Sequence, residues 1–181
     1  ARPQPRVAEA LDIVLRPAEP ATQVPVELVA GTVERAGVQL AQVRVGAKLT
    51  AFEILSNDCV DLLREQMPQS RWPLVEASAW CVLIEISDNQ SEADASATLE
   101  SLLEIAFEKS LVNDAAIATS LSQARDFWSL RENMGEAQVK AGNNIKHDIS
   151  VPISKFPEFI RETDAKVTGA FPEARMIVFG H

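Results

Sequence analysis

The sequence predicts an α+β domain built on an antiparallel sheet with helices on one face. Short segments rich in β-branched and aromatic residues alternate about five times with segments of helical periodicity. Several connections between these segments are short enough to join antiparallel neighbours. The chain also lacks a glycine-rich turn leading from a strand into a helix, which many parallel α/β sheets carry.

The order of the predicted elements also suggests how the sheet is assembled. The predicted strands cover residues 7–15, 50–55, 80–86, 114–118, 145–151 and 176–179. Five helices are predicted. The first follows the proline-bearing stretch 16–25 and runs to residue 36, and the second is capped by Ser56 and ends near Pro68. The other three cover residues 91–109, 120–138 and 154–168. Two successive strand–helix–strand halves, residues 7–86 and 114–179, fit ferredoxin-like units.

Composition and charge narrow the class of protein and its partners. Of the 181 residues 46% are hydrophobic and 24% charged, as in globular domains, so a single packed domain is expected. The net charge is −9, with no cluster of Lys or Arg, which argues against a nucleic acid partner. No stretch reaches the roughly 20 apolar residues of a membrane span, and the first residues lack the apolar core of a signal peptide. We therefore expect no membrane span and a cytoplasmic location.

Few residues have the spacing of a catalytic or metal site. Cys59 and Cys81 are far apart, and we predict two inert thiols. The two histidines, His147 and His181, form no triad or HExxH motif. None of the seven glycines belongs to a GxGxxG loop, so no phosphate-binding turn for a cofactor is expected in this chain.

Arg131 is the first candidate for chemistry. It lies at the edge of the apolar arc of its predicted helix, where a guanidinium must find an anion. The members of that arc are Ala124, Phe127, Leu130, Met134 and Ala137. Two partners are open: an internal salt bridge, to Glu53 or Glu85, or the carboxylate of a ligand.

Lys146 is the second candidate. Alternation along IKHDISV places it with Asp148 and Ser150 on one face of the predicted strand, and places His147 on the apolar face. The polar face is either solvated or part of a pocket that another domain covers. We expect His147 to be packed and hydrogen-bonded. His181 stands at the end of the chain, and by its position alone it would be taken for a tail residue without a function.

Four strings in order then become recognisable: TAFEILSNDCVDLL, FWSLRENMGEAQ, IKHDISVPISKFPEFI and FPEARMIVFGH. Together they resemble the C-terminal region of the FAD-linked oxidases related to D-2-hydroxyglutarate dehydrogenase and D-lactate dehydrogenase. The resemblance covers nearly the whole chain and is loosest before Leu49. It implies a cap domain that lies over FAD, with the flavin held by a separate N-terminal domain and not by this chain.

The resemblance also assigns residues to a site for a D-2-hydroxy acid. By match, Arg131 and Lys146 bind the substrate carboxylate. Relatives of the D-2-hydroxyglutarate type have a Thr four residues after that arginine, where this sequence has Gly135. That departure leaves the distal part of the substrate open. The electron acceptor is open as well, and so is the oligomeric state, with a homodimer as one option.

In the family a divalent metal such as zinc completes the site. His181 matches its first ligand, and the others follow in a GDGN-containing segment and beyond it. The resemblance thus implies a single cap domain over residues 1–181, truncated at its C-terminal end, with the FAD-binding domain absent and the isolated fragment inactive. In such a site two cations fix the carboxylate, the metal lowers the energy of the alkoxide, and the C–H hydride passes to the flavin. The alternative is a stand-alone ferredoxin-like module that binds a small acid through Arg131 and Lys146.

Overall fold

The computed structural model describes residues 27–31, 49–75, 78–87 and 91–181. The predicted strand over 7–15 lies outside this part. The strands are β1 (Glu27–Gly31), β2 (Leu49–Ser56), β3 (Trp80–Ile86), β4 (Asp114–Ile117) and β5 (Phe179–Gly180). The helices are α1 (Asn57–Gln66), α2 (Glu92–Glu108), α3 (Leu121–Glu132), α4 (Met134–Ala141) and α5 (Phe156–Ala170), and a 3-10 turn covers Ile153–Lys155. None of the described helices is long and apolar enough to cross a membrane.

The strands form one sheet in the order β4-β1-β3-β2-β5, and each pair of neighbours is antiparallel. Since β3 and β4 both run antiparallel to β1, they are parallel to each other, and α2 connects them across the intervening strand. This split β-α-β arrangement is the ferredoxin-like one. The α+β class with an antiparallel sheet is therefore confirmed. The unit is formed by β1 to β4 together, and not by two successive halves of the chain.

The sheet is covered on both faces, so the prediction of helices on one face is wrong. On β3, Cys81 and Leu83 belong to the core cluster that includes α1, α3 and α4, whereas Val82, Ile84 and Ile86 pack with α2. The reason lies in the strand sequence. WCVLIEI is an almost continuous apolar run, which is typical of a strand buried on both sides.

The prediction of a helix that runs to residue 36 is also wrong for the described residues, because residues 27–31 form strand β1. This strand lies between β3 and β4 and pairs with both. Ladders on both edges outweigh a weak helical pattern, and the surrounding run VPVELV has the β-branched residues that a strand favours.

The long helix predicted over 120–138 is interrupted at Asn133, which separates α3 from α4. The ψ of Asn133 is −5°, away from the helical value. Asn and Gly are poor helix formers, and Gly135 follows closely. The predicted apolar arc is nevertheless buried in full: Ala124, Phe127, Leu130, Met134 and Ala137.

The segment predicted as the strand 145–151 forms no strand. Ile145 is 87% exposed and Ile149 56% exposed, and His147 is exposed where it was expected to be packed. Alternation determines which side chains share a face, but a strand also needs a neighbour that takes its N–H and C=O groups. Within the described ranges no strand pairs with this segment.

The termini of the remaining elements follow the predictions with small shifts. Ser91 and Ser120 cap α2 and α3 with side-chain acceptors. Ser56 occupies the N-cap of α1 but makes no side-chain cap bond, since its hydroxyl lies near Cys59 Sγ, at 3.5 Å, and accepts from the Val178 N–H at 3.4 Å. Ser154 lies in the 3-10 turn, so the cap position of α5 falls to Lys155. The last strand is limited to Phe179–Gly180.

Candidate functional site

The candidate site centres on Arg131, near the end of α3. Phe127 and Leu130 anchor this helix in the core, which brings the next side chain, Arg131, over the sheet. Its Nε donates to Oε2 of Glu53 on β2 at 2.7 Å. The arginine side chain is 24% exposed and that of Glu53 12% exposed. The predicted internal ion pair is therefore confirmed, with Glu53 as the partner.

A second contact holds the guanidinium from another direction. Its Cζ lies 4.6 Å from the centroid of the Phe179 ring. Phe179 belongs to β5 and pairs with Leu55, so its side chain shares a face of the sheet with Glu53. A cation above an aromatic face is attracted by the ring quadrupole. Glu53 and Phe179 together restrict both the position and the plane of the group.

The outer part of the guanidinium is available for a ligand. An arginine carries five N–H donors, and only the Nε–H is engaged by Glu53. In the described ranges no hydrogen bond engages Nη1 or Nη2 of Arg131. Two parallel N–H groups match the two oxygens of a carboxylate. The arrangement is thus chemically suited to bind an acid.

A second carboxylate, Glu85 on β3, fixes α3 beside this pair. Its Oε2 accepts from the Trp128 indole N–H at 3.0 Å, and its Oε1 accepts from the Thr50 hydroxyl at 2.9 Å. Glu53 is opposite Leu83 in the sheet register, so Glu85 lies diagonally across from it on the same face. The helix is therefore attached to β2 and β3 through two polar side chains one turn apart.

Lys146 lies on the exposed segment between α4 and the 3-10 turn. Within the described part of the chain no hydrogen bond or ion pair engages its ammonium, and none joins it to Arg131. The polar strand face on which it was placed does not form. Its assignment as a substrate ligand stays a prediction.

His181 is exposed and directly follows β5. Among the residues that the structure describes, no group of three His, Cys, Asp or Glu side chains could hold a metal ion. A catalytic zinc site normally has three protein ligands. The described residues alone therefore do not provide a metal site.

The described residues do not fit FAD either. Gly142 is the only glycine with positive φ in the described ranges, and it follows α4 instead of opening a helix. A pyrophosphate is usually held where a glycine-rich turn leads into a helix N-terminus.

The two thiols are free and buried. Cys59 Sγ donates to the Val178 carbonyl at 3.2 Å, which joins α1 to the residue before β5. Burial raises the pKa of Cys81 to about 12, and burial also raises the pKa of Cys59. Both thiols therefore stay protonated at neutral pH, as expected of inert cysteines.

Sequence reasoning missed the role of Phe179, which was assigned only to an apolar strand. It also missed the bond from Trp128 to Glu85, although the spacing of three residues between Trp128 and Arg131 puts both on one side of a helix. Gly135 lies one turn after Arg131, and a Cβ built there would meet nothing within 4 Å. The space beside the Cα of Gly135 is therefore open among the described residues.

The chain is similar to one protein family and to several curated proteins. The family described as FAD linked oxidases, C-terminal domain, matches residues 20–181. A probable mitochondrial D-2-hydroxyglutarate dehydrogenase of Oryza sativa subsp. indica is 36% identical over 124 residues, which cover 68% of this chain and 22% of the relative. The mitochondrial D-2-hydroxyglutarate dehydrogenase of Arabidopsis thaliana is 31% identical over 141 residues, covering 78% and 24%.

A bacterial relative, the D-2-hydroxyglutarate dehydrogenase of Xanthomonas citri pv. viticola, is 32% identical over 143 residues, covering 78% of this chain and 29% of the relative. The chain thus spans less than a third of the length of these curated relatives. The match of the family over nearly all of the sequence is decisive. The chain belongs to the family of the C-terminal domains of FAD linked oxidases.

Proposed function

We propose that this chain is the substrate-covering part of an FAD-dependent dehydrogenase acting on the CH–OH group of D-2-hydroxy acids, and that Arg131 binds the substrate carboxylate. The proposal rests on the way in which the Arg131 guanidinium is held. It is held at Nε by Glu53 and against Phe179, while its Nη groups have no acceptor among the described residues. The names of the relatives support the reaction class.

Lys146 is proposed as the second cation on the carboxylate. Its ammonium is exposed, so a substrate presented by another part of the protein can reach it. Two cations on one carboxylate fix the orientation of the neighbouring carbinol carbon, and fixed orientation lowers the barrier of the chemical step. The flavin, in this proposal, is held by residues outside the described part of the chain.

The proposed substrate class is a D-2-hydroxy acid of the lactate or 2-hydroxyglutarate type. Gly135 offers no hydroxyl to a distal group of the substrate, and a Cβ built there would meet nothing within 4 Å. The distal group is therefore best identified by a panel of acids of different length. His181 is proposed as the first ligand of a divalent metal. A calorimetric titration of the natural protein with zinc and manganese tests it, because His181→Ala should then abolish tight binding.

The experiment measures turnover of a panel of D- and L-2-hydroxy acids with an artificial electron acceptor. It uses the natural protein, meaning the whole protein of which this chain is proposed to be a part. Arg131→Ala and Lys146→Ala should each reduce kcat/KM by a factor equivalent to about 2–5 kcal/mol, as expected when a buried carboxylate loses a charged partner. Arg125→Ala is the matched control, because Arg125 is an exposed arginine on the same helix. It should leave kcat/KM unchanged.

The outcomes separate this proposal from the stand-alone binding module. Flavin absorbance and turnover of a D-2-hydroxy acid support the dehydrogenase. A protein that binds small acids through Arg131 but holds no flavin and oxidises none of them would support the binding module instead. Unchanged kinetics in both the Arg131 and the Lys146 variants would reduce Arg131 to a structural ion pair.

A further inference from the structure

We infer that Glu53 is a positioning residue, which aims the terminal N–H groups of Arg131 at the substrate. This inference rests on the proposed function of Arg131 as a carboxylate ligand. It assigns a task in that site to a residue that does not touch the substrate itself.

The geometry of the contact is the first argument. Glu53 accepts from Nε of Arg131, at 2.7 Å, and not from the terminal nitrogens. A carboxylate at Nε fixes the rotation of the guanidinium about the end of the side chain, while it leaves the Nη groups without a hydrogen bond to Glu53. An ion pair that served stability alone gains most from the bidentate fork, which uses two parallel N–H groups.

The rigidity of the support is the second argument. Glu53 lies on β2, which is flanked by β3 on one edge and by β5 on the other. Its side chain is 12% exposed, and Phe179 of the adjacent β5 holds the face of the guanidinium. A binding group is most precise when its own supporting residues lie on rigid elements.

The third argument is electrostatic. A carboxylate beside Arg131 weakens the attraction of the site for an anionic substrate, since like charges repel across short distances. If charge were all that Glu53 supplied, its removal would strengthen substrate binding. A positioning role predicts the opposite, a loss of turnover when the length of the side chain changes.

Two conservative variants separate reach from charge. Glu53→Gln keeps the length of the side chain and an oxygen that accepts from Nε, but removes the charge. Glu53→Asp keeps the charge but is one methylene shorter and cannot reach across the present contact. Both variants, the wild type, Arg131→Ala and the double variant Arg131→Ala with Glu53→Asp are assayed in the natural protein with the best D-2-hydroxy acid substrate.

We expect kcat of Glu53→Asp to fall by at least about 10-fold, since a displacement of roughly 1 Å can cost up to about 100-fold in rate. Glu53→Gln should stay within about 3-fold of the wild type, and KM should change less than kcat in both. In the double variant the substitution at Glu53 should add nothing to the effect of Arg131→Ala, because coupled residues are not additive. Such a result supports the inference.

Glu104→Gln is the matched control, since it changes an exposed carboxylate on α2, which packs against the opposite face of the sheet. It should leave kcat and KM unchanged, and melting curves show for each variant whether the protein remains folded. If Glu53→Asp retains at least as much kcat as Glu53→Gln, the positioning role is refuted. If Arg131→Ala itself has wild-type kinetics, the proposed function fails first, and the two failures are thereby distinguished.

Discussion

The indole Nε1 of Trp128 donates to Oε2 of Glu85 across 3.0 Å, and this bond attaches α3 to the sheet. Trp128 precedes Arg131 by three residues, so the bond lies one turn from the ion pair with Glu53. A helix held at two successive turns has little freedom to slide along its axis. The position of the Arg131 guanidinium therefore depends on the bond between Trp128 and Glu85, although neither side chain is hydrogen-bonded to the guanidinium.

Trp128→Phe keeps an aromatic ring but removes the N–H donor. We expect the free energy of unfolding to fall by about 1 kcal/mol, the usual net value of such a hydrogen bond. Urea unfolding measures it. Trp80→Phe is the control, because the Trp80 ring packs edge-on against Phe156 and its indole N–H has no acceptor in the described ranges. An equal loss in both variants would mean that the bond to Glu85 adds nothing.

Arg131→Met should destabilise the protein, because it leaves the Glu53 carboxylate at 12% exposure without its cation. The expected cost is about 2 kcal/mol, below the value for a fully buried pair since water reaches Arg131. Adding Glu53→Leu should recover most of that loss. Purely additive free energies of unfolding in the double-mutant cycle would contradict a coupled pair.

Ser120→Ala tests the start of α3. The Ser120 hydroxyl accepts from the Gln123 N–H at 3.2 Å, and loss of an N-cap acceptor costs about 1 kcal/mol. Ser122 lies exposed in the first turn of the same helix. Ser122→Ala should be neutral or slightly stabilising, since Ala is the better helix former. A lower melting temperature for Ser120→Ala than for Ser122→Ala would support the N-cap, and the reverse order would contradict it.

Alkaline pH should destabilise the protein through Cys81. Burial, with a smaller contribution from Cys59, raises the pKa of the Cys81 thiol from 9.0 to about 12. Below pH 9 both the folded and the unfolded state keep the proton, so this thiol adds no pH dependence. Above it the unfolded state loses the proton first, and stability falls by up to about 1.4 kcal/mol per pH unit until the folded pKa is reached.

The measurement is urea unfolding of the wild type and of Cys81→Ala from pH 8 to pH 11. Cys81→Ala should be less stable than the wild type at pH 8, because it leaves a cavity. That deficit should shrink as the pH rises, since the variant no longer titrates there. Val82→Ala, on the same strand, is the control and should keep a constant deficit. A constant deficit for Cys81→Ala would refute the raised pKa.

Local patterns in the sequence predicted the interior of this fold well. The apolar arc of α3 and α4 was recovered in full because burial of a helix face follows the 3.6-residue period, which the sequence displays directly. The break at Asn133 did not disturb it. Glu53 and Glu85 were both named as partners for Arg131, but only the register of β2 against β3 determines which carboxylate lies under the guanidinium.

The sequence could not predict which strands pair with each other in the sheet. Residues 27–31 became a central strand because two neighbouring strands accept them, and neither neighbour is close in sequence. The opposite error occurred at 145–151, where alternation is clear but the described residues offer no ladder. Phe179 beneath Arg131 was missed for the same reason, since the pairing of β5 with β2 creates the contact.

Hydrogen exchange gives a direct test of the segment 145–151. Its backbone N–H groups have no acceptor among the described residues, whereas those of β3 lie between two paired strands. We expect the amides of 145–151 to exchange on the order of a thousandfold faster than those of β3, because exchange from a paired central strand requires a much larger opening. Mass spectrometry of deuterated peptides measures both regions in one sample.

The comparison carries its own control in the exposed part of the chain. Residues 171–175 are exposed, and the peptide that covers them should exchange about as fast as 145–151, apart from the Phe171 and Ala174 amides, which donate to the Val167 and Phe171 carbonyls. Protection of 145–151 at the level of β3 would mean that the segment holds a strand after all. Ile145, which is 87% exposed here, would then be packed, and the alternation of IKHDISV would have identified a strand that this structure lacks.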